Sequence, residues 1–144
     1  NYQKSPHFNE IFPRIRELLL TDYDNLADMN MAINQFIISG FGLSATIIKA
    51  SELNISSRKE ERILDICSAL EASEYYSGLG AVSYQNRENF SNRGIVLTYT
   101  DYRPFPYPQQ WDAFEPNLSV LDYLFNCGFD WKKVIEGITK GDRL

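Results

Sequence analysis

Short β-type runs alternate with amphipathic helical runs along this chain, and that alternation restricts its fold more than any other feature. The β-type runs are Ala45-Thr46-Ile47-Ile48 within 43–50, Glu74-Tyr75-Tyr76-Ser77, and Ile95-Val96-Leu97-Thr98-Tyr99. Between the first two, Ile63, Ile66, Cys67 and Leu70 recur at helical spacing; between the last two lies a helical stretch around 82–90. The predicted order is α-α-β-α-β-α-β-loop-α-α. Strands that alternate with helices are joined by crossovers and run parallel. The fold class expected is therefore α/β: a short parallel sheet with helices on its faces, a Rossmann-like sandwich. A C-terminal Pro/aromatic loop and two short helices complete it. With 144 residues and neither linker nor repeat, 1–144 reads as a single domain.

Local chemistry predicts the element ends. Ser5-Pro6 offers a cap and a first-turn proline for a helix carrying Phe8, Ile11, Ile15 and Leu18, which Pro13 should kink or divide. Leu26, Met29, Ile33, Phe36 and Ile37 form a second stripe, ended by Gly40 and Gly42. Ser57 and Glu60 have capping-box spacing for the third helix. The charged residues 58–62 look like a solvated face. Three prolines and four aromatics in 101–111 forbid helix and central strand, so an ordered extended loop should lie across the domain, either packed on the sheet edge or serving as a sugar-stacking platform. Ser119 and Asp130 start the last two helices.

A formal net charge of −5 with scattered basic residues argues against nucleic acid as a partner. No apolar run reaches the ~18 residues of a membrane span. Cys67 and Cys127 sit in apolar stripes and read as reduced core thiols, which fits a cytoplasmic protein. His7 is the single histidine and reads as a surface or satisfied residue, so no metal site and no cofactor is expected.

Ligands of parallel sheets bind outside the carboxyl ends of the strands. That rule gathers Ser51, then Ser77, Gly78 and Gly80 with Tyr84 one turn into the next helix, then Asp101 and Tyr102. Gly78-x-Gly80 is half of a dinucleotide fingerprint that nothing completes, and it reads first as a tight strand-to-helix turn. Asp101, Asp112, Glu115 and Asp122 are candidates for acid–base work, and each is also a plausible solvated carboxylate or cap.

Several of these stretches form a pattern. Gly94-Ile95-Val96-Leu97-x-Tyr99-x-Asp101-Tyr102, Tyr107-Pro108-Gln109, and Phe114-x-Pro116-Asn117-Leu118-Ser119-x-x-Asp122-x-Leu124-Phe125-Asn126-x-Gly128 resemble the C-terminal signature of WbqC-like proteins. Asn25-Leu26-Ala27-Asp28-x-Asn30, Ser51-Glu52-Leu53 and Tyr76-Ser77-Gly78 match it upstream. The resemblance implies an α/β sandwich and a role in bacterial surface polysaccharide (O-antigen) biosynthesis. The activity implied is acyl or aminoacyl (glycyl) transfer to a nucleotide-linked amino sugar. It also implies that a preceding segment with a His-Gln-Pro type motif belongs to such proteins, so this chain is expected to be a C-terminal portion.

In the enzyme reading, Asp101 and Asp122 are the catalytic candidates. Ser51, Ser77, Gly78, Gly80, Tyr84, Tyr102, Asn117 and Ser119 would bind a sugar nucleotide or acyl donor. Self-association is compatible with the sequence. The alternative is a non-catalytic binding or scaffold module, which an exposed patch of Phe105, Tyr107 and Trp111 would favour.

Overall fold

The computed structural model describes residues 1–111 and 113–141. The fold is mixed α/β, with six helices and a two-stranded parallel sheet among the described residues. The helices are α1 (Phe8–Leu20), α2 (Leu26–Gly40), α3 (Lys59–Ala69), α4 (Arg87–Ser91), α5 (Val120–Cys127) and α6 (Trp131–Gly141). The strands are β1 (Glu74–Gly78) and β2 (Val96–Thr100), paired from Glu74↔Val96 to Gly78↔Thr100. The described residues form two compact units, one of 1–47 with those from 103 to 141 and one of 48–102.

The helical unit is built around α5. Asp122, Tyr123, Leu124, Phe125 and Cys127 of this helix are all buried, so it is covered on nearly every side. Ile11 and Ile15 of α1 join its core, and Phe8, Phe12 and Tyr2 set their rings against Phe125. Pro13 neither divides α1 nor ends it; the helix runs through this exposed position. Ser5 does not cap it. His7 is the N-cap residue, and Ser5 Oγ instead lies 3.1 Å from Asn126 Oδ1. The His7 ring packs beside Gly128, where a Cβ would come within 3.0 Å of it, and Gly128 ends α5 at φ 68°. Asp130 caps α6 as expected, accepting from Lys133 N at 3.0 Å. Cys127 here and Cys67 in the other unit are buried free thiols, and burial raises the pKa of each.

Two glycines seat aromatic rings in this unit. A Cβ at Gly40 of α2 would collide with the Phe129 ring, and one at Gly137 of α6 with the Phe105 ring. Phe105 is thereby buried against α6 and packs on Tyr107 and Tyr123. The Pro/aromatic loop thus lies on helices of its own unit. Its exposed rings are Trp111, at 71%, and Tyr102, at 66%.

In the second unit Leu64 and Cys67 of α3 meet Phe90 of α4 and Ile95 and Leu97. Tyr75 of β1 stacks on Phe90 at 5.6 Å. The charged face of α3 is solvated at Arg58, Lys59 and Glu61, and its carboxylates also staple neighbouring residues. Glu60 accepts from Asn86 N at 2.6 Å and Asn89 Nδ2 at 2.5 Å, holding the start of α4. Glu61 and Asp65 clamp Arg93, the latter at 2.7 Å. The capping box is not made: α3 starts at Lys59, Arg58 precedes it without a side-chain cap, and Lys59 stands at φ 55°.

The expected strand at 45–48 is absent. Residues 43–49 carry no regular structure, and β1 and β2 are the only strands among the described residues. The helical stretch expected over 82–90 is instead a short 3-10 turn, Leu79–Ala81, followed by a turn and the brief α4.

Alanine at 137 gains roughly 1 kcal/mol of helix propensity. Overpacking against Phe105 should outweigh it, so Gly137→Ala is expected to lower the urea-unfolding free energy by a net ~1–2 kcal/mol. A neutral or stabilising result would show that the ring moves aside freely.

Candidate functional site

The unit 48–102 holds the predicted strand rim. Gly78 and Thr100 are the final register pair, and Thr100 Oγ1 donates to Ser77 O at 3.2 Å, closing that end of the sheet. Ser77 is buried; Gly78, Gly80, Asp101 and Tyr102 follow at or just beyond the carboxyl ends, all exposed. Tyr84 stands in the turn before α4, not within a helix, and is 68% exposed. Ser51 lies in a separate 3-10 turn, Ala50–Leu53, because the strand that would have carried it to the rim does not form. Gly78 has an ordinary extended backbone at φ −75°, and a Cβ at Gly78 or Gly80 would meet nothing within 4 Å. Neither turn geometry nor packing requires these glycines; both leave open space at the strand ends.

The helical unit holds the second set. Asn117 sits at φ 60°, a left-handed turn position that asparagine tolerates well. Two residues on, Ser119 caps α5, accepting from Leu121 N at 3.3 Å. Asp122 in the first turn is only 4% exposed. Its Oδ2 accepts from Tyr107 Oη at 2.8 Å and Gln109 Nε2 at 2.9 Å, and Asn126 Nδ2 approaches Oδ1 at 3.3 Å. Gln109 also exchanges bonds with the backbone of Glu115, donating to its carbonyl at 3.0 Å and accepting from its N–H at 2.8 Å. The Pro116-Asn117-Leu118-Ser119-x-x-Asp122 element therefore bends the chain, caps the helix and places a buried acceptor under the aromatic loop. Asp112 lies outside the described residues, and Glu115 is exposed.

Burial and the Asp122 bond push Tyr107 up to about 12, so its phenol stays a donor. Tyr2 is raised too, first by burial and then by Asp122, and burial raises Tyr123 strongly. Above the loop opens a cleft of about 570 Å³ lined by Gln109, Gln110, Trp111, Asn126 and Lys4 among others. The amides of this wall are engaged already. Gln110, with its oxygen toward Ser5 Oγ (2.9 Å) and its nitrogen toward Asn1 O (2.8 Å), ties the loop to the first residues. The hydrogen-bonding role of Gln109 was not evident from sequence; its place two residues after Tyr107 in the family pattern was the available signal.

The WbqC-like protein family model matches residues 1–134. The chain belongs to the WbqC-like protein family. A curated protein of similar sequence, the uncharacterized protein Rv1507c of Mycobacterium tuberculosis, is 34% identical over 130 residues. That match takes in 89% of this chain and 56% of the relative, so the WbqC-like chain described here spans little more than half of that protein's length. No solved structure gives a significant match. Among the described residues of this WbqC-like chain, no three His, Cys, Asp or Glu side chains gather as metal ligands, and no helix is long and apolar enough to cross a membrane.

Two outcomes follow from the Asp122 cluster. Asp122→Ala strands several buried donors and should cost about 2–4 kcal/mol in chemical denaturation; Asp122→Asn, which keeps one acceptor oxygen, should cost less. Tyr107 has a raised folded-state pKa, so its contribution is complete below the ordinary value of 10.0 and is lost as pH climbs toward about 12. Ultraviolet titration of Tyr107→Phe should lose amplitude from the late-ionising phenols; loss of amplitude from those that ionise near the ordinary value of 10.0 would contradict the assignment.

Proposed function

We propose that this WbqC-like chain forms part of a cytoplasmic enzyme of bacterial surface polysaccharide (O-antigen) biosynthesis. The reaction is acyl or aminoacyl (glycyl) transfer to the amino group of a nucleotide-linked sugar. The observation that carries the reading is the open space over Gly78 and Gly80 at the carboxyl ends of a parallel pair, with Leu79, Tyr84 and Tyr102, close by in the chain, all exposed. Ligands of parallel sheets favour that edge, and exposed tyrosines there offer rings for a base or sugar to lie against. Ser77 lies buried behind the rim with its carbonyl held by Thr100 Oγ1, and Asp101 at the end of β2 is the base of the proposal. Asp122, saturated with hydrogen bonds, acts by holding Tyr107 and Gln109; Asn117 and Ser119 serve the same turn.

One observation favours a second reading, a non-catalytic binding or scaffold module. The carboxylate best built into the molecule is fully engaged, while Trp111 stands exposed. Phe105 and Tyr107, which would have extended that patch, are packed inside.

Saturation-transfer NMR against a panel of nucleotide-linked amino sugars separates the readings. The proposal expects binding by the wild-type chain, loss on Gly78→Val, which fills the open space, and weakening by about tenfold on Tyr102→Ala, the cost of one stacking contact. Circular dichroism should remain native for both. Absence of binding across the panel, or equal binding by both variants, would overturn the assignment of this rim.

A further inference from the structure

The β1–β2 sheet is finished on one face only. Tyr75, Ser77, Leu97 and Tyr99 point to the covered side, where Tyr75 stacks on Phe90 and Leu97 is 4% exposed. Alternation along a strand places Glu74, Tyr76 and Gly78 of β1 and Val96, Thr98 and Thr100 of β2 on the other side. That side carries Tyr76 at 61% and Val96 at 57% exposure. Parallel sheets are normally covered on both faces, and two strands alone are below the size at which a sheet is stable by itself.

The edges differ in the same sense. Val96 N–H donates to Ser73 O at 2.8 Å, which sets the ladder so that Leu97 turns its backbone groups away from β1. The outer edge of β2 is blunted: Arg87 Nη1 donates to Leu97 O at 2.8 Å while its guanidinium lies over the Tyr99 ring. Beside β1, no third strand lies among the described residues.

We infer that the open face and the outer edge of β1 are a docking surface for a strand-bearing segment from the part of WbqC-like proteins outside the matched half. The length is available, since the match accounts for only 56% of the mycobacterial relative. The pattern on this side states the chemistry of the occupant. An extended segment adds main-chain bonds along Glu74–Gly78, and apolar side chains from it or from a following helix cover Tyr76 and Val96. This inference does not rest on the proposed substrate.

The experiment uses a cysteine placed at the position of the mycobacterial relative aligned with Tyr76, in a background without other reactive thiols. Maleimide labelling of the intact relative is expected to be at least about tenfold slower than labelling of an exposed surface-cysteine control in the same protein. Cutting the relative back to its matched region should restore the fast rate. Labelling of the intact protein at the rate of the surface control overturns the proposal, whether or not the shortened form folds. Protection that appears only as protein concentration rises would assign the face to a second copy and equally overturn it.

Discussion

A carboxylate buried in the first turn of α5 organises the helical unit. Asp122 is nearly inaccessible to water, and a charge there is tolerable only because Tyr107, Gln109 and Asn126 surround it with donors. The bonds run mainly to the Pro/aromatic loop. Prolines deprive that loop of ladder and helix bonding, so its order must come from side chains. Asp122 supplies the polar anchor, and Phe105 over Gly137 supplies the apolar one. The first residues join the same knot through Ser5, Gln110 and Asn126.

This arrangement gives a physical reason for the stretch of sequence that resembles the WbqC-like signature. Asn117 serves a left-handed turn, Ser119 a cap, Asp122 an anchor, and Gln109 latches onto both Asp122 and the backbone of Glu115. The pattern is thus in large part a folding device. The strand rim in the other unit has the opposite character: its glycines and exposed tyrosines do little for packing, and for that reason it carries the functional proposal.

Elements whose signals are local were readable in the sequence. The α2 stripe, the β2 run, the cap at Ser119 and the extended loop all follow from neighbouring residues. Features that depend on distant partners were not. The run Ala45–Ile48 has strand propensity but no strand beside it, and propensity without a partner does not make a ladder. The Ser57 box fails because Glu60, which should reach back to the cap, is drawn to Asn86 and Asn89. Arg93 lies far along the chain from Glu61 and Asp65, so its clamp gave no periodic signal. For Asp122, sequence reading offered acid–base work or a solvated or capping role; its burial and its saturation with hydrogen bonds are tertiary facts.

A double-mutant cycle between Tyr107→Phe and Asp122→Asn, read by urea denaturation of both single variants and the pair, tests the anchoring role most directly. If the buried carboxylate holds the loop, the two residues should be coupled by about 1.5–3 kcal/mol, as for a hydrogen bond to a charged group. Additive effects would show that the loop is held by packing alone and that Asp122 is not its anchor.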